Sequence, residues 1–213
     1  MKEFRKNRFF QVIYPLFLYY IIYTFSNLLY IMILGDSFGK LFCLMMAALT
    51  TIPFMVFEYK RLPIVRMDSF KKEELKKDVF FIFAIAFMGI FLNVVVSHLP
   101  LEHLSQGFQR ANETLSDGMI VIQILANAVL IPVLEEVLYR GIICGQLSLW
   151  YKPWIGIVIS SVLFGIMHFN VIQFLYAFVV GLVLGLSYTK TKNIWIPIFG
   201  HGLTNLIVIL YFM

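Results

Sequence analysis

Charged residues are scarce in this chain of 213 residues. Only 14% of the residues are Asp, Glu, Lys or Arg, whereas 61% are hydrophobic, and the mean hydropathy is +0.86. Soluble globular domains carry about 25% charged residues, so this composition excludes an ordinary soluble protein. Apart from one polar linker, residues 58–77, long polar stretches are also lacking, which leaves little chain for a soluble domain. The sequence therefore predicts an integral membrane protein.

Cysteine is almost absent, with only Cys43 and Cys144 in the chain. Two distant cysteines provide neither a disulfide framework nor a cysteine-rich metal cluster. We interpret both as small, buried apolar residues. An internal repeat is lacking as well, although repeated halves are the sequence signature of many transporters.

Seven apolar segments are approximately long enough to cross a bilayer, for which a helix needs about 20 residues. They are residues 9–34, 41–57, 78–97, 118–140, 154–169, 171–189 and 194–213. We therefore predict an all-α fold, a polytopic membrane helix bundle of about seven transmembrane helices. Within this one membrane domain, residues 1–117 hold the N-terminal transmembrane helices and a cytoplasmic linker, and residues 118–213 form a helical core.

The distribution of basic residues predicts the orientation in the membrane. The linker from Glu58 to Lys77 holds seven Lys or Arg residues, whereas residues 98–117 hold only Arg110. Cytoplasmic loops carry the excess of Lys and Arg, so the first linker is placed in the cytoplasm. Alternation of seven spans then predicts a multi-pass protein of the cell membrane with its N-terminus inside and its C-terminus outside. The net charge of +5 is explained by these loops, and no nucleic-acid partner is predicted.

Three motifs interrupt the apolar segments of the second half of the chain. Each contains two residues four positions apart, which therefore face the same side of a helix. They are Glu135-Glu136-x-x-x-Arg140, Phe164-x-x-x-His168 and His201-x-x-x-Asn205. A charged side chain at the bilayer centre costs about 2.5–3.5 kcal/mol on insertion scales, so several in one bundle indicate a functional site or mutual pairing.

The two adjacent glutamates of the first motif are expected to have different roles. Glu136 and Arg140 can pair along one helix face, whereas Glu135 is rotated by about 100° from Glu136 and faces elsewhere. We therefore assign the chemistry to Glu135, as a general base. The alternative is that the three residues form only an ion-pair network at the cytoplasmic end of their span.

Residues of different motifs meet only if they lie at similar depth. Glu135 and His168 each lie about 15 residues from the turn that joins their helices, or about 22 Å, so antiparallel helices would bring them level. His201 lies about 10 residues beyond its own loop, or about 15 Å, a difference that helix tilt or unequal helix ends can absorb. Pro132 and Pro197 precede Glu135 and His201, and each predicts a bend where a water or a ligand fits.

Together, the three motifs resemble those of the CAAX-protease and bacteriocin-processing family of intramembrane proteases. The resemblance covers roughly residues 118–210, which are thereby predicted to be a catalytic helix core. It implies that Glu135 and His168 activate the attacking water, and that His201 and Asn205 stabilise the oxyanion or help to hold a metal. The residues that would support this site are Glu136, Arg140 and Phe164.

The resemblance also implies a metal, because the family is commonly classed as metallopeptidases. Glu135, His168 and His201 are acceptable Zn²⁺ ligands that leave a fourth position open for water. Two mechanisms remain open. If Glu135 binds the metal, another group must be the general base. Without a metal, Glu135 polarised by His168 can itself take the proton.

The function implied by this resemblance is that of an intramembrane endopeptidase. Its substrate would be a membrane-associated peptide or protein, cleaved in a CAAX-type reaction or in peptide or bacteriocin maturation, and its other partner is the lipid bilayer. Two further functions stay open. One is non-enzymatic bacteriocin self-immunity or membrane scaffolding, and the other is a small transporter or channel in which Glu135, His168 and His201 form an ion path.

Overall fold

The computed structural model describes residues 7–62, 64, 74–98 and 106–212. Part of the predicted linker, including Arg66, Lys71 and Lys72, lies outside the described residues. The described chain consists of helices joined by short connections and contains no strand. The helices are α1 (Arg8–Phe38), α2 (Lys40–Arg61), α3 (Leu75–Ser97), α4 (Gln106–Leu115), α5 (Ile120–Trp150), α6 (Pro153–Ile166), α7 (Val171–Thr191) and α8 (Trp195–Phe212).

The predicted all-α membrane bundle is confirmed. Helices α1, α2, α3, α5 and α7 are long and apolar enough to cross a bilayer, whereas α6 and α8 are apolar but shorter. Each of the seven predicted segments corresponds to one of these seven helices. The structure adds α4, which the sequence did not predict, because its sequence QGFQRANETL is mostly polar and lacks the continuous apolar run by which spans are recognised.

A glycine and an aspartate fix the corner between α1 and α2. Gly39 has a φ of 81°, in the left-handed region that favours glycine. A Cβ at this position would lie only 2.5 Å from Asp117 Oδ2. The same carboxylate oxygen accepts a hydrogen bond of 2.7 Å from Lys40 N and thereby caps α2. The corner is therefore held beside the residues that precede α5.

The two ends of the bundle differ in charge. At one end, Arg8 lies over the rings of Trp150 and Tyr151, with its Cζ 6.0 and 5.4 Å from their centroids. This end is called the basic end, and its Lys and Arg residues are Arg8, Lys60, Arg61, Lys76, Lys77, Lys152, Lys190 and Lys192. The opposite end, where Lys40 meets Asp117, is called the Asp117 end.

The apolar core is centred on the second half of α5. Leu138, Ile142 and Ile143 are fully buried there. They belong to one cluster with buried residues of α2 and α7, among them Met55 and Leu184. In a water-soluble protein, burial of one such large apolar side chain stabilises the fold by about 1.5–3 kcal/mol. Within a bilayer, van der Waals packing contributes more, because the lipid is already as apolar as the side chains. The half of the bundle nearer to the basic end is thus closely packed.

Candidate active site

Helix α5 carries the first motif on an irregular stretch. Its segments Ile124–Leu130 and Val137–Cys144 are π-helical, and the α-helical segment Ile131–Glu136 lies between them. A π-helix pairs residues five positions apart instead of four, and such segments are frequent at functional sites. Glu135 and Glu136 are therefore placed at the boundary between two helical registers.

Glu136 and Arg140 form the buried ion pair that their spacing predicts. Arg140 Nε lies 3.2 Å from Glu136 Oε2, and neither side chain is exposed. The guanidinium also lies over the Phe164 ring, with Cζ 4.5 Å from the centroid, and Nη2 donates to the Gly181 carbonyl at 3.4 Å. A Cβ at Gly181 would lie 3.1 Å from Nη2, so the absence of a side chain leaves room for the guanidinium.

His201 connects the two glutamates. Its Nδ1 lies 2.9 Å from Glu136 Oε1, and its Nε2 lies 3.9 Å from Glu135 Oε2. Because Glu136 is the ion-pair partner of Arg140, its carboxylate accepts this hydrogen bond and His201 Nδ1 carries the proton. Nε2 then faces Glu135 across a gap that is too long for a direct hydrogen bond but fits one bridging water.

Phe164 orients His168 in two ways. His168 follows the end of α6, and its Nδ1 lies 2.9 Å from the Phe164 carbonyl oxygen. A carbonyl only accepts, so Nδ1 carries the proton, and Nε2 is a hydrogen-bond acceptor in the neutral ring. The Phe164 ring packs edge-on against both histidine rings, with centroids 5.1 Å from His168 and 6.0 Å from His201. The second motif therefore reflects a ring contact as well as a main-chain hydrogen bond.

Asn205 is held by a main-chain carbonyl of α5. Its Nδ2 donates to the Asn127 oxygen at 2.7 Å. Asn127 lies in the first π-helical segment, where a carbonyl pairs with the N–H five residues later. That residue is Pro132, which has no N–H. Asn205 therefore replaces a helical hydrogen bond that the proline removes, and the second Nδ2 hydrogen is left for another acceptor.

Close contact between α8 and α5 depends on Gly202. A Cβ at this position would lie 2.5 Å from the Ala128 carbonyl oxygen. Pro197 contributes differently from what the sequence predicted. It lies in the first turn of α8, where an N–H has no helical partner in any case, so the predicted reason for a bend at Pro197 is wrong.

The predicted catalytic residues line one cavity of about 1030 Å³. They are Glu135, His168, His201 and Asn205. The Glu135 side chain is 18% exposed, whereas that of Glu136 is fully buried. Glu135 therefore reaches into the cavity, whereas Glu136 lies behind the cavity wall as the partner of His201.

Several tyrosines that the motifs do not include also line this cavity. They come from α1, α5 and α7 and are Tyr19, Tyr20, Tyr23, Tyr139 and Tyr176. The rings of Tyr19 and Tyr23 stack with centroids 5.5 Å apart, and the Tyr139 ring packs against that of Phe164 at 5.2 Å. The four-residue spacing of Tyr19 and Tyr23 is the signal that could have pointed to them. Helix α1 thus forms part of the cavity wall.

The three predicted zinc ligands, Glu135, His168 and His201, line the same cavity. Within the described part of the chain, no three His, Cys, Asp or Glu side chains lie close enough together to hold a metal ion. One ring nitrogen of His168 and one of His201 are already hydrogen-bonded to protein oxygens. These hydrogen bonds involve Nδ1 and leave Nε2 of each ring for a ligand, which is the usual arrangement of a histidine that binds a metal. A zinc site held by Glu135, His168 and His201 thus stays a prediction, and we assign no reaction step to a metal.

Comparison with known proteins finds relatives of this chain. Residues 117–207 match the family described as type II CAAX prenyl endopeptidase, Rce1-like. This segment is therefore similar to that family. It contains all three motifs and includes α5, α6 and α7, so the resemblance predicted from the motifs is confirmed over these residues.

Two curated proteins are similar to this chain. The first is YdiL of Bacillus subtilis (strain 168), whose name provisionally describes it as a membrane peptidase. It is 28% identical over 156 residues, which are 71% of this chain and 63% of YdiL. The second is an uncharacterized 24.3 kDa protein of Escherichia coli, 27% identical over 124 residues, or 55% of each chain. The matches thus span somewhat more than half of each relative. No solved structure matches this chain.

Proposed function

We propose that this protein is an intramembrane endopeptidase that hydrolyses a peptide bond in a membrane-associated peptide or protein. The observation that carries this proposal is the convergence of Glu135, His168, His201 and Asn205 on one cavity inside a membrane bundle. Their groups are those that peptide hydrolysis needs, namely acceptors for the proton of water and donors for an oxyanion. The match of residues 117–207 to a family of prenyl endopeptidases supports the same reaction class.

Glu135 is the general base in this proposal. A water between Glu135 Oε2 and His201 Nε2, which are 3.9 Å apart, can contact both groups. Glu135 takes one proton from this water while the oxygen attacks the carbonyl carbon of the substrate. His168 supports this step, because its Nε2 is a second acceptor in the cavity.

The remaining steps conserve protons. Attack forms the new C–O bond and converts the carbonyl oxygen into an oxyanion. The free Nδ2 hydrogen of Asn205 donates to this oxyanion, and the second proton of the water stays on the new hydroxyl group. His201 Nε2 also donates when the ring already carries both protons before the attack, and that proton then stays on the ring. The protonated Glu135 then gives its proton to the leaving nitrogen as the C–N bond breaks, which returns Glu135 to its ionised form.

Glu136 and Arg140 position His201 rather than react. The buried carboxylate of Glu136 fixes the ring orientation through Nδ1, and Arg140 compensates the carboxylate charge. Positioning by a buried second partner is a common way to hold a catalytic histidine in one tautomer. Phe164 completes this support, since it contacts Arg140 and both histidines.

The finer substrate class that we propose is the one implied by the similarity to this family. A CAAX-type cleavage, or the maturation of a peptide or bacteriocin, places the scissile bond close to the membrane. A cavity lined by polar side chains within apolar helices fits a substrate of this kind, because the site must admit both a peptide and water. The bilayer is thus the second partner of the protein.

The test is cleavage of a panel of membrane peptides by purified protein in liposomes. Wild type is compared with Glu135→Gln and with Glu113→Gln, a matched change at an exposed glutamate of α4. We expect cleavage by wild type and by Glu113→Gln, and loss of at least 10²-fold in Glu135→Gln, as for the removal of a catalytic group. Equal cleavage by all three proteins, or by none, would reject the proposed endopeptidase and favour immunity, scaffolding or transport.

A further inference from the structure

The catalytic cavity extends toward the Asp117 end of the bundle. Its lining at this end includes Ser97 at the end of α3, and Arg110, Asn112 and Ser116 in or next to α4. Ser97, Arg110 and Ser116 are exposed. These polar residues therefore form a mouth through which water and a peptide can enter.

Toward the basic end, the cavity is closed by buried side chains. The Glu136–Arg140 pair lies behind His201 and has no exposed side-chain surface. Beyond it, the next turns of α5 add Ile142 and Ile143, which are also fully buried. Among the described residues that line the cavity, none belongs to the eight Lys and Arg residues of the basic end. Access to Glu135 is thus from the Asp117 end.

The charges of the two ends predict which of them faces the cytoplasm. Among the described residues, eight Lys or Arg lie at the basic end, whereas Lys40 and Arg110 lie at the Asp117 end. The Lys and Arg residues outside the described part fall in the N-terminal segment and in the first linker, both of which connect to the basic end. Because cytoplasmic loops carry the excess of Lys and Arg, the basic end is placed on the cytoplasmic side.

From these observations we infer that the catalytic cavity opens to the extracytoplasmic side of the membrane. The substrate is then a peptide segment that is exposed on the outer face or has been exported across the membrane, and its scissile bond enters past α4. This inference rests on the proposed function for the identity of the substrate as a peptide. The side on which the cavity opens is independent of the reaction that takes place inside.

Two cysteine variants test the orientation. Asn112→Cys places a thiol in the mouth, and Lys190→Cys places one at an exposed position of the basic end. Wild type is the labelling control, because Cys43 and Cys144 are buried. A membrane-impermeant, bulky maleimide is added to intact cells and, separately, to inverted membrane vesicles. We expect Asn112→Cys to be labelled in cells and Lys190→Cys to be labelled only in inverted vesicles.

A functional arm then tests the route of the substrate. After labelling from outside, peptide cleavage by Asn112→Cys should fall more than tenfold, because the bulky group occupies the mouth. Lys190→Cys labelled in inverted vesicles should keep its cleavage rate. Labelling of Asn112→Cys only in inverted vesicles, or unchanged cleavage after its complete modification, would overturn the inference. Either result leaves the proposed function intact as long as cleavage by the unlabelled protein still depends on Glu135.

Discussion

Removal of Arg140 is expected to destabilise the protein strongly. Arg140→Met deletes the partner of a carboxylate that has no exposed surface, and breaking a buried pair from one side costs about 3–5 kcal/mol. For a chain of this length, about 2–4 °C in melting temperature corresponds to 1 kcal/mol, so we expect a decrease of about 6–20 °C. The assay is thermal unfolding of the detergent-solubilised protein, followed as the fraction that stays monodisperse.

The matched control is Lys77→Met, which removes a pair on the surface of α3. Lys77 Nζ lies 3.1 Å from Glu74 Oε2, and these side chains are 42% and 36% exposed. Exposed pairs contribute at most about 1 kcal/mol, so this variant should melt within about 4 °C of wild type. The reasoning is refuted if Arg140→Met melts no lower than Lys77→Met. A double variant, Glu136→Gln with Arg140→Met, should be less destabilised than Arg140→Met alone, since no uncompensated charge remains buried.

Three further predictions concern the packing of α8 and the reaction. Gly202→Ala should lower the melting temperature, because its Cβ would lie 2.5 Å from a main-chain oxygen of α5. Gly35→Ala is the control and should not lower it, since its nearest contact would be at 3.5 Å. Thermal unfolding curves of both variants test this difference. Pro132→Ala restores a main-chain N–H that competes with Asn205 for the carbonyl oxygen of Asn127. We therefore expect slower peptide cleavage at unchanged stability. An unchanged cleavage rate would contradict our account of the first π-helical segment. Peptide cleavage should survive treatment with EDTA, because no step of the proposed mechanism uses a metal. Loss of activity that added Zn²⁺ restores would instead support the zinc site predicted from the family.

The sequence was sufficient to predict contacts along one helix. The spacing of Glu136 and Arg140 predicted their ion pair, and the seven apolar segments predicted the helices that hold the motifs. Four-residue spacing is informative in this way because it fixes the relative direction of two side chains within a helix. It contains no information about which neighbouring helix they face.

Contacts between helices were therefore the part that the sequence did not predict. The hydrogen bond from His201 to Glu136 depends on how α5 and α8 are rotated about their axes. Depth estimates placed His201 about 7 Å lower than Glu135, yet Nε2 of the histidine lies 3.9 Å from the carboxylate. Helix tilt or unequal helix ends absorb this difference, as the sequence analysis allowed, but the residue spacing does not tell which of the two does so. The role of Asn127 was likewise missed, since a main-chain carbonyl freed by a proline leaves no side-chain motif.

The most direct test of the central claim is the origin of the oxygen in the new carboxylate of the cleaved peptide. Cleavage in water enriched in ¹⁸O should place one ¹⁸O atom in the new C-terminal carboxylate of the product, as measured by mass spectrometry, with wild-type protein. Glu135→Gln, which keeps the shape of the side chain but cannot take a proton, should form this product at least 10²-fold more slowly. Formation of labelled product by Glu135→Gln at the wild-type rate would contradict a hydrolysis in which Glu135 activates water.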